Sequence, residues 1–317
     1  MQIIYGKEST RINLTPATKE LSWSSSRGQI AQNCDIQVLN APPIESAGFL
    51  MLFSGDLLKE SQQFFHGPIV RFERDDKSGD TSATAYELSW YLQKNETSRI
   101  KLNGDAGKEL ERLIRATGIN FSCPAFGFEV KDRLASQSFA SLFTTLTEQA
   151  YDKTGKRYFV QHERDKLTVL PEGGNSVVPM FAASLLESSS TGESIEEVYT
   201  VVTAERYKDD KVAASVTKEN ANLIKQIGRM KKVIDAGEEK GLDALASKQL
   251  ANLSKIPKTR PITVKHEDNQ AARLRAGWHI KILERDNVTI TDWIVTSCNA
   301  RWKGGQYTMD LQLERRG

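Results

Sequence analysis

The residues able to do chemistry are spaced for none of it. His162-Glu163 and His266-Glu267 each resemble the start of a helical zinc-hydrolase motif. That chemistry needs a second histidine four residues after the first, so that two imidazoles on one helix face reach one metal while the glutamate serves as base. Neither segment has it, and both fall in strand or turn context. Gly155-Lys156 sits in a hairpin-like turn and lacks the flanking helix on which a phosphate loop depends. No GxxxxGK followed by Ser or Thr, no GxGxxG after a strand and no GxSxG elbow occurs. The histidines (His66, His162, His266 and His279) and the 41 carboxylates are scattered and are expected to be surface titratable groups.

The cysteines add nothing to this. Cys34, Cys123 and Cys298 are odd in number, far apart and without a CxxC pair, so neither a zinc cluster nor a disulfide framework is expected. They are expected to act as small, partly buried residues. Trp23, Trp90, Trp278, Trp293 and Trp302 lie in β-rich segments, where large aromatics carry packing and association energy. Stacking platforms for sugar or nucleic acid are the sharper alternative. The expectation is a chain with no catalytic residue, no cofactor and no metal.

What, then, would such a chain position? Its 317 residues are about twice a usual domain, which predicts two or three domains. Hydrophobic residues at 39% and charged residues at 26% are ordinary for a globular protein. A formal charge of +2 argues against a dedicated nucleic-acid binder. Residues 205–260 hold 13 basic and 8 acidic side chains, an excess that suits nucleic acid or an acidic partner or, more simply, a solvated helix face plus linker. The start MQIIYGKEST has no basic segment leading into an apolar one, so no signal peptide is expected. The longest apolar runs, such as residues 48–53, are too short to span a bilayer, and no membrane insertion is expected.

Strand alternation predicts a hairpin from 20–24 and 34–39, a strand at 67–72 begun by Gly-Pro, a polar turn at 75–80 and a strand at 81–88. Asp105 reads as the N-cap of a helix that carries Leu110, Leu113 and Ile114 and stops at Gly118. A second helix is expected over 138–150, followed by short strands at 157–161 and 166–170 and a breaker-rich exit. After a serine linker at 188–190, a hairpin is expected from 197–204 and 211–217. Residues 218–256 are ambiguous, because Gly228 interrupts an apolar stripe of helical spacing. Strands close the chain at 262–265, 278–283, 289–300 and 306–314. Gly67-Pro68-Ile69-Val70-Arg71-Phe72 and Gly277-Trp278-His279-Ile280-Lys281-Ile282 share a pattern and suggest two copies of one β-domain.

Four blocks occur in order: Leu21-Ser22-Trp23-Ser24-Ser25-Ser26-Arg27, the Gly67–Phe72 strand, Ala83-Thr84-Ala85-Tyr86-Glu87-Leu88-Ser89-Trp90-Tyr91-Leu92 with the helix after it, and residues 292–313. Together they resemble the hub family of contractile phage tails and tail-derived bacteriocins, in particular the PBSX-type prophage hub related to the late control gene D family. The resemblance resolves the ambiguous stretch as helix 218–226, strand 228–235 and helix 241–255.

It implies an α+β, mainly β fold: two similar small β-barrels at 1–95 and 183–317, flanking an α+β module at 96–182, with a helical insertion around 218–256. It also implies a homotrimer whose six barrels form a pseudo-sixfold ring between the tail tube protein and the central spike protein. Other baseplate proteins and the tape-measure protein are further expected partners. The implied location is the virion or bacteriocin particle, assembled in the bacterial cytoplasm. Trp278 and Trp293, beside the strands expected to form barrel walls, become candidate core or interface anchors. The competing expectation is a tail-associated cell-wall hydrolase or a carbohydrate-binding module.

Overall fold

The structure, a computed structural model, describes every residue except 41–43, 56–62, 164, 209–210, 238–240, 267–271 and 316–317. The first β-unit comprises β1 (Gln2–Lys7), β2 (Thr10–Asn13), β3 (Thr18–Ser26), β4 (Asn33–Val38), β5 (Phe49–Phe53), β6 (Gln63–Arg74) and β7 (Thr81–Tyr86). The expected hairpin is β3–β4. Leu21, Trp23 and Ser25 point inward and alternate with outward Glu20, Ser22 and Ser24, the side-chain period of an extended strand. β5 lacks such alternation because both its faces are covered. Leu50 and Leu52 join the main core, while Met51 and Phe53 pack with Ile4 on the other side. The polar turn at 75–80 is closed by the Asp75 carboxylate, which accepts from the Lys77 and Ser78 amides.

An α+β module follows: α1 (Tyr91–Lys94), β8 (Glu96–Thr97), β9 (Ile100–Asp105), α2 (Ala106–Arg115), β10 (Phe121–Ser122), β11 (Glu129–Leu134), β12 (Gln137–Ser138), α3 (Phe139–Thr154), β13 (Tyr158–Glu163) and β14 (Lys166–Pro171). Asp105 caps α2 as expected, accepting from Gly107 and Lys108. It also accepts from the Phe126 and Gly127 amides, so one carboxylate fixes both a helix start and a distant loop. α3 begins at the Ser138 cap and ends at Gly155, whose φ of 74° only glycine adopts without strain. The module has its own core, built on Leu110, Ile114, Phe121, Phe126, Leu142 and Leu146.

The second β-unit contains β15 (Met180–Ala182), β16 (Ser188–Ser189), β17 (Gly192–Glu193) and, after an insertion, β21 (Lys258–His266), β22 (His279–Leu283), β23 (Ile290–Lys303) and β24 (Gln306–Arg315). The insertion holds β18 (Val201–Lys208), β19 (Lys211–Glu219), α4 (Ala221–Ile227), β20 (Lys231–Asp235) and α5 (Leu242–Leu253). Its helix–strand–helix order is the expected one. Two expectations differ. The β18–β19 hairpin does not join the second β-unit: with β20 it makes a separate three-stranded sheet. Ala204, Ala236, Leu242, Leu245 and Ala246 form a small core of its own between sheet and α5. The serine stretch is no linker either, because Ser188 and Ser189 pair with Thr263 and Ile262 of β21.

The two β-units have one topology. In chain order, β3, β4, β5, β6 and β7 correspond to β16–β17, β21, β22, β23 and β24. β3–β4, β4–β7, β7–β6 and β6–β5 are antiparallel. So are the corresponding β16–β17 with β21, β21–β24, β24–β23 and β23–β22. Both long strands slip register at the same place, between Ile69 and Arg71 and between Val295 and Ser297. Ile36 and Ile262, Val38 and Val264, Ile69 and Val295 take matching positions in one core.

The sequence pattern placed Gly67–Phe72 and Gly277–Ile282 on equivalent strands, and this is corrected. They lie on β6 and β22, and β22 stands where β5 stands. The glycines serve different ends. A Cβ on Gly67 would meet the Tyr86 carbonyl oxygen at 1.6 Å, whereas Gly277 has φ +91° and abuts the Phe159 ring.

β3 and β23 join the units. Ser26 pairs with Ser297, and the ladder runs through Trp23–Ala300 to Leu21–Trp302. The result is one 14-stranded sheet. Among the described residues its ladder closes into a ring in neither unit. Trp23 sits at the seam, 5.4 Å from Phe64 of the first unit and 6.0 Å from Tyr307 of the second. Trp23→Ala is expected to lower unfolding free energy by about 3–5 kcal/mol in urea titration. Trp23→Phe should cost much less, since the indole N–H has no described hydrogen-bond partner to lose.

Candidate assembly interface

Two ion-pair nodes brace the seam. Arg27, in the β3–β4 turn, donates from Nε to Glu172 Oε1 at 2.7 Å and from Nη1 to Glu314 Oε2 at 3.0 Å. It therefore ties the first unit to the exit of the α+β module and to β24. Arg275 Nη2 donates to Glu87 Oε2 at 2.5 Å, and that oxygen also accepts from the Gln32 amide. Both side chains are buried. Such a pair costs desolvation energy to form but is expensive to break from one side. Beside it, the Ala276 amide donates to Ser25 Oγ at 2.9 Å.

The candidate anchors Trp278 and Trp293 both lie inside the chain's own core, 8% and 5% exposed. Trp278 Nε1 donates to Gln161 Oε1 of β13, fixing the α+β module to the second β-unit. Trp293 Nε1 donates to Thr291 Oγ1, with the Arg260 guanidinium 5.7 Å from its ring. Little of either ring remains for another subunit. The alternation of β23 turns Trp293 inward, and Trp278 directly precedes β22 in phase with its inward Ile280.

The four scattered histidines divide. His66 and His162 come together, ring centroids 5.9 Å apart, across the contact between β6 and β13. His279 Nε2 lies 2.7 Å from Asp292 Oδ1. His266 ends β21. Among the described residues no group of three or more His, Cys, Asp or Glu is placed to hold a metal. The three cysteines are buried and unpaired with one another. Burial pushes the Cys298 thiol up to about 12 and raises Cys34 and Cys123 as well.

A polar cleft of about 740 Å³ separates α3 from β20 and the Arg27 turn. Charged side chains bridge it: Lys232 bonds to Asp152, and Arg157 Nη2 to Glu197 Oε2 at 2.5 Å. These bridges, together with Leu253, Val202 and Ile234 packed beneath Tyr151 and Tyr199, make the cleft a joint that seats the insertion against the module.

What remains open are strand edges. β6 meets β7 along Ile69–Arg74, and on its other edge β5 accompanies it only as far as Ile69. Arg71, Phe72, Glu73 and Arg74 are all exposed. In the second unit the outer edge of β16–β17 is the end of the sheet path, and residues 188–193 are exposed throughout. Exposed apolar side chains gather near the short edge strand β15, where Met180 lies on the strand and Val177 and Leu185 flank it. These edges escaped the sequence, where 188–194 looks like a spacer. Its Ser-Ser-Thr-Gly-Glu-Ser against Ser22-Trp23-Ser24-Ser25-Ser26 is the faint signal that could have found them.

This architecture is that of phage tail proteins. A tail protein of Neisseria meningitidis MC58 superposes with a TM-score of 0.73 at 13% identity, over 99% of this chain and 96% of that one. The prophage tail protein gp18 of Listeria monocytogenes EGD-e gives 0.65 at 10% identity, over 99% and 94%. A type VI secretion component of E. coli, c3393, described as structurally similar to the bacteriophage T4 tail proteins gp27 and gp5, gives 0.53 at 10%, over 94% and 73%. The chain belongs to the YQBQ-like family, whose model matches residues 21–314. No curated protein matches it.

Arg275→Met and Glu87→Leu are each expected to cost about 3–5 kcal/mol, while the double variant recovers most of that loss. A double-mutant cycle on urea midpoints measures it, and simple additivity would contradict the account of the seam. The cysteines yield a second expectation. A thiol reagent at pH 8 should leave all three unmodified in the native protein and label all three after denaturation.

Proposed function

We propose that the chain is the structural baseplate hub of a contractile phage tail or phage-tail-like bacteriocin. The observation that carries this reading is the joining of two β-units of one topology, edge to edge, within one chain. Its agreement with phage tail proteins over nearly the full length of both chains supports it.

Three such chains supply six near-equivalent β-units, and a homotrimeric ring of this kind adapts a sixfold tail tube to a threefold central spike. In this reading, residues 1–95 and 183–317 build the ring, and the α+β module at 96–182 hangs on its spike side. The tail tube protein, the central spike protein and other baseplate proteins are its partners, with the tape-measure protein passing through or ending at it. Its place is the virion or bacteriocin particle, after assembly in the bacterial cytoplasm. The work is done by interfaces, and no residue is assigned a catalytic role.

Reconstruction of the tail tip tests this. Three copies on the axis between tube and spike are expected, and six copies, or none on that axis, would refute the assignment. Purified chain should also leave peptidoglycan intact; lytic activity would favour the tail-associated hydrolase.

A further inference from the structure

The seam inside the chain has a matching pair of edges left over. β3 of the first unit joins β23 of the second. The strand corresponding to β3 is β16–β17, and the strand corresponding to β23 is β6. The outer edge of the former and the 71–74 edge of the latter are both unpaired among the described residues. Repeating the first step from unit one to unit two therefore brings β16–β17 of one copy onto β6 of the next. We infer that copies of this chain join by antiparallel pairing of residues 191–194 with residues 71–74, in the register of the internal seam. This rests on the hub reading above and names the joint that reading needs.

The register follows from the ladders. Ser297 and Ala300 pair with Gln312 and Met309 of β24 as Arg71 and Arg74 pair with Thr84 and Thr81 of β7, counted from the shared slip after Val295 and Ile69. Leu21 and Ser24 lie opposite Ile36 and Asn33 as Ser189 and Gly192 lie opposite Ile262 and Thr259. The seam pairs Ser297 with Ser26, Cys298 with Ser25, Asn299 with Ser24 and Ala300 with Trp23. Carried across, Arg71 meets Ser194, Phe72 meets Glu193, Glu73 meets Gly192 and Arg74 meets Thr191 of the next copy.

The chemistry fits. Arg74 lies two residues along from Phe72 and shares its face, and Glu193, which has no described ion pair, sits opposite Phe72 within diagonal reach of Arg74, while Arg71 faces the other side of the sheet. An exposed strand edge otherwise invites uncontrolled pairing. The contact is heterologous, with different surfaces on its two sides, so repetition must close into a ring or run on as a filament. The edge is also held in place from within: Arg260, 6% exposed, donates to Ser189 Oγ at 2.9 Å and to Glu284 at 2.6 Å.

Cysteine pairs read the register directly, since the native cysteines are buried and a disulfide forms only between backbones about 4.4–6.8 Å apart. In purified tail particles carrying Arg74→Cys with Thr191→Cys, mild oxidation should give reductant-sensitive bands of two and three chains. Neither single variant should give them. Phe72→Cys with Glu193→Cys, in the same register, serves if the first pair is not incorporated. A tip reconstruction of unaltered particles gives an independent reading, with the two segments expected at sheet spacing, about 4.8 Å.

Incorporated double variants without cross-links, segments far apart in the reconstruction, or cross-linking by Arg74→Cys alone would each overturn the joint. The hub reading fails separately. A chain that cross-links in this register but lies off the tail axis refutes the hub and supports the joint; a chain on the axis without cross-links refutes the joint and leaves the hub.

Discussion

Backbone pairing between β3 and β23 is the constraint on which the molecule depends. It converts two sheets into one, and it lets a single core run from Ile3 and Tyr5 to Leu311 and Leu313. A half-built seam would leave Trp23 and Tyr307 facing water and Arg275 buried without its carboxylate. The seam is therefore all or nothing, and the ion pairs beside it act as a check on register. A one-residue slip would turn every inward side chain outward and would part Arg27 from Glu314.

The remaining parts are arranged around this seam. The α+β module touches both units: Arg27 and Glu172 hold its exit to the first, and Trp278 and Gln161 hold β13 to the second. The insertion rests on α3 of that module through Lys232–Asp152 and on the approach to β13 through Arg157–Glu197. These joints combine polar bridges with apolar packing: Ile30 and Ala31 of the β3–β4 turn enter the module's core, and Phe159 of β13 packs against the core of the β-units.

Much of this was legible in the sequence. Strand alternation located β3, β4, β7 and β21 to β24, and Asp105 marked the start of α2 through its capping chemistry, whereas Gly155, expected in a hairpin-like turn without a flanking helix, ends α3. Pairing partners were less accessible. Nothing local tells β18 that it belongs with β20 and α5, since a hairpin has the same alternation whichever sheet receives it. β5 and β1 hid because burial on both faces erases the period-two signal. The repeat was suspected from two glycines that turned out to serve unrelated needs, and it became plain only in the order of ladders and the shared slip. Trp278 and Trp293 could be placed on strands, but the residues left free for a partner are an exposed edge of ordinary polar side chains, which composition cannot distinguish from a loop.

Ser26 and Ser297, paired in the seam, stand about 270 residues apart along the chain. At a synthesis rate of about 5–20 residues per second, roughly 15–50 seconds separate their emergence from the ribosome. Throughout that interval β3 lacks its neighbour, and the first unit carries an apolar seam that belongs to a strand not yet made. Proximity to other growing copies is then a hazard, because β23 of one chain fits β3 of another as well as its own. The order of synthesis thus sets a race between correct closure within a chain and exchange between chains, and dilution during translation favours the former.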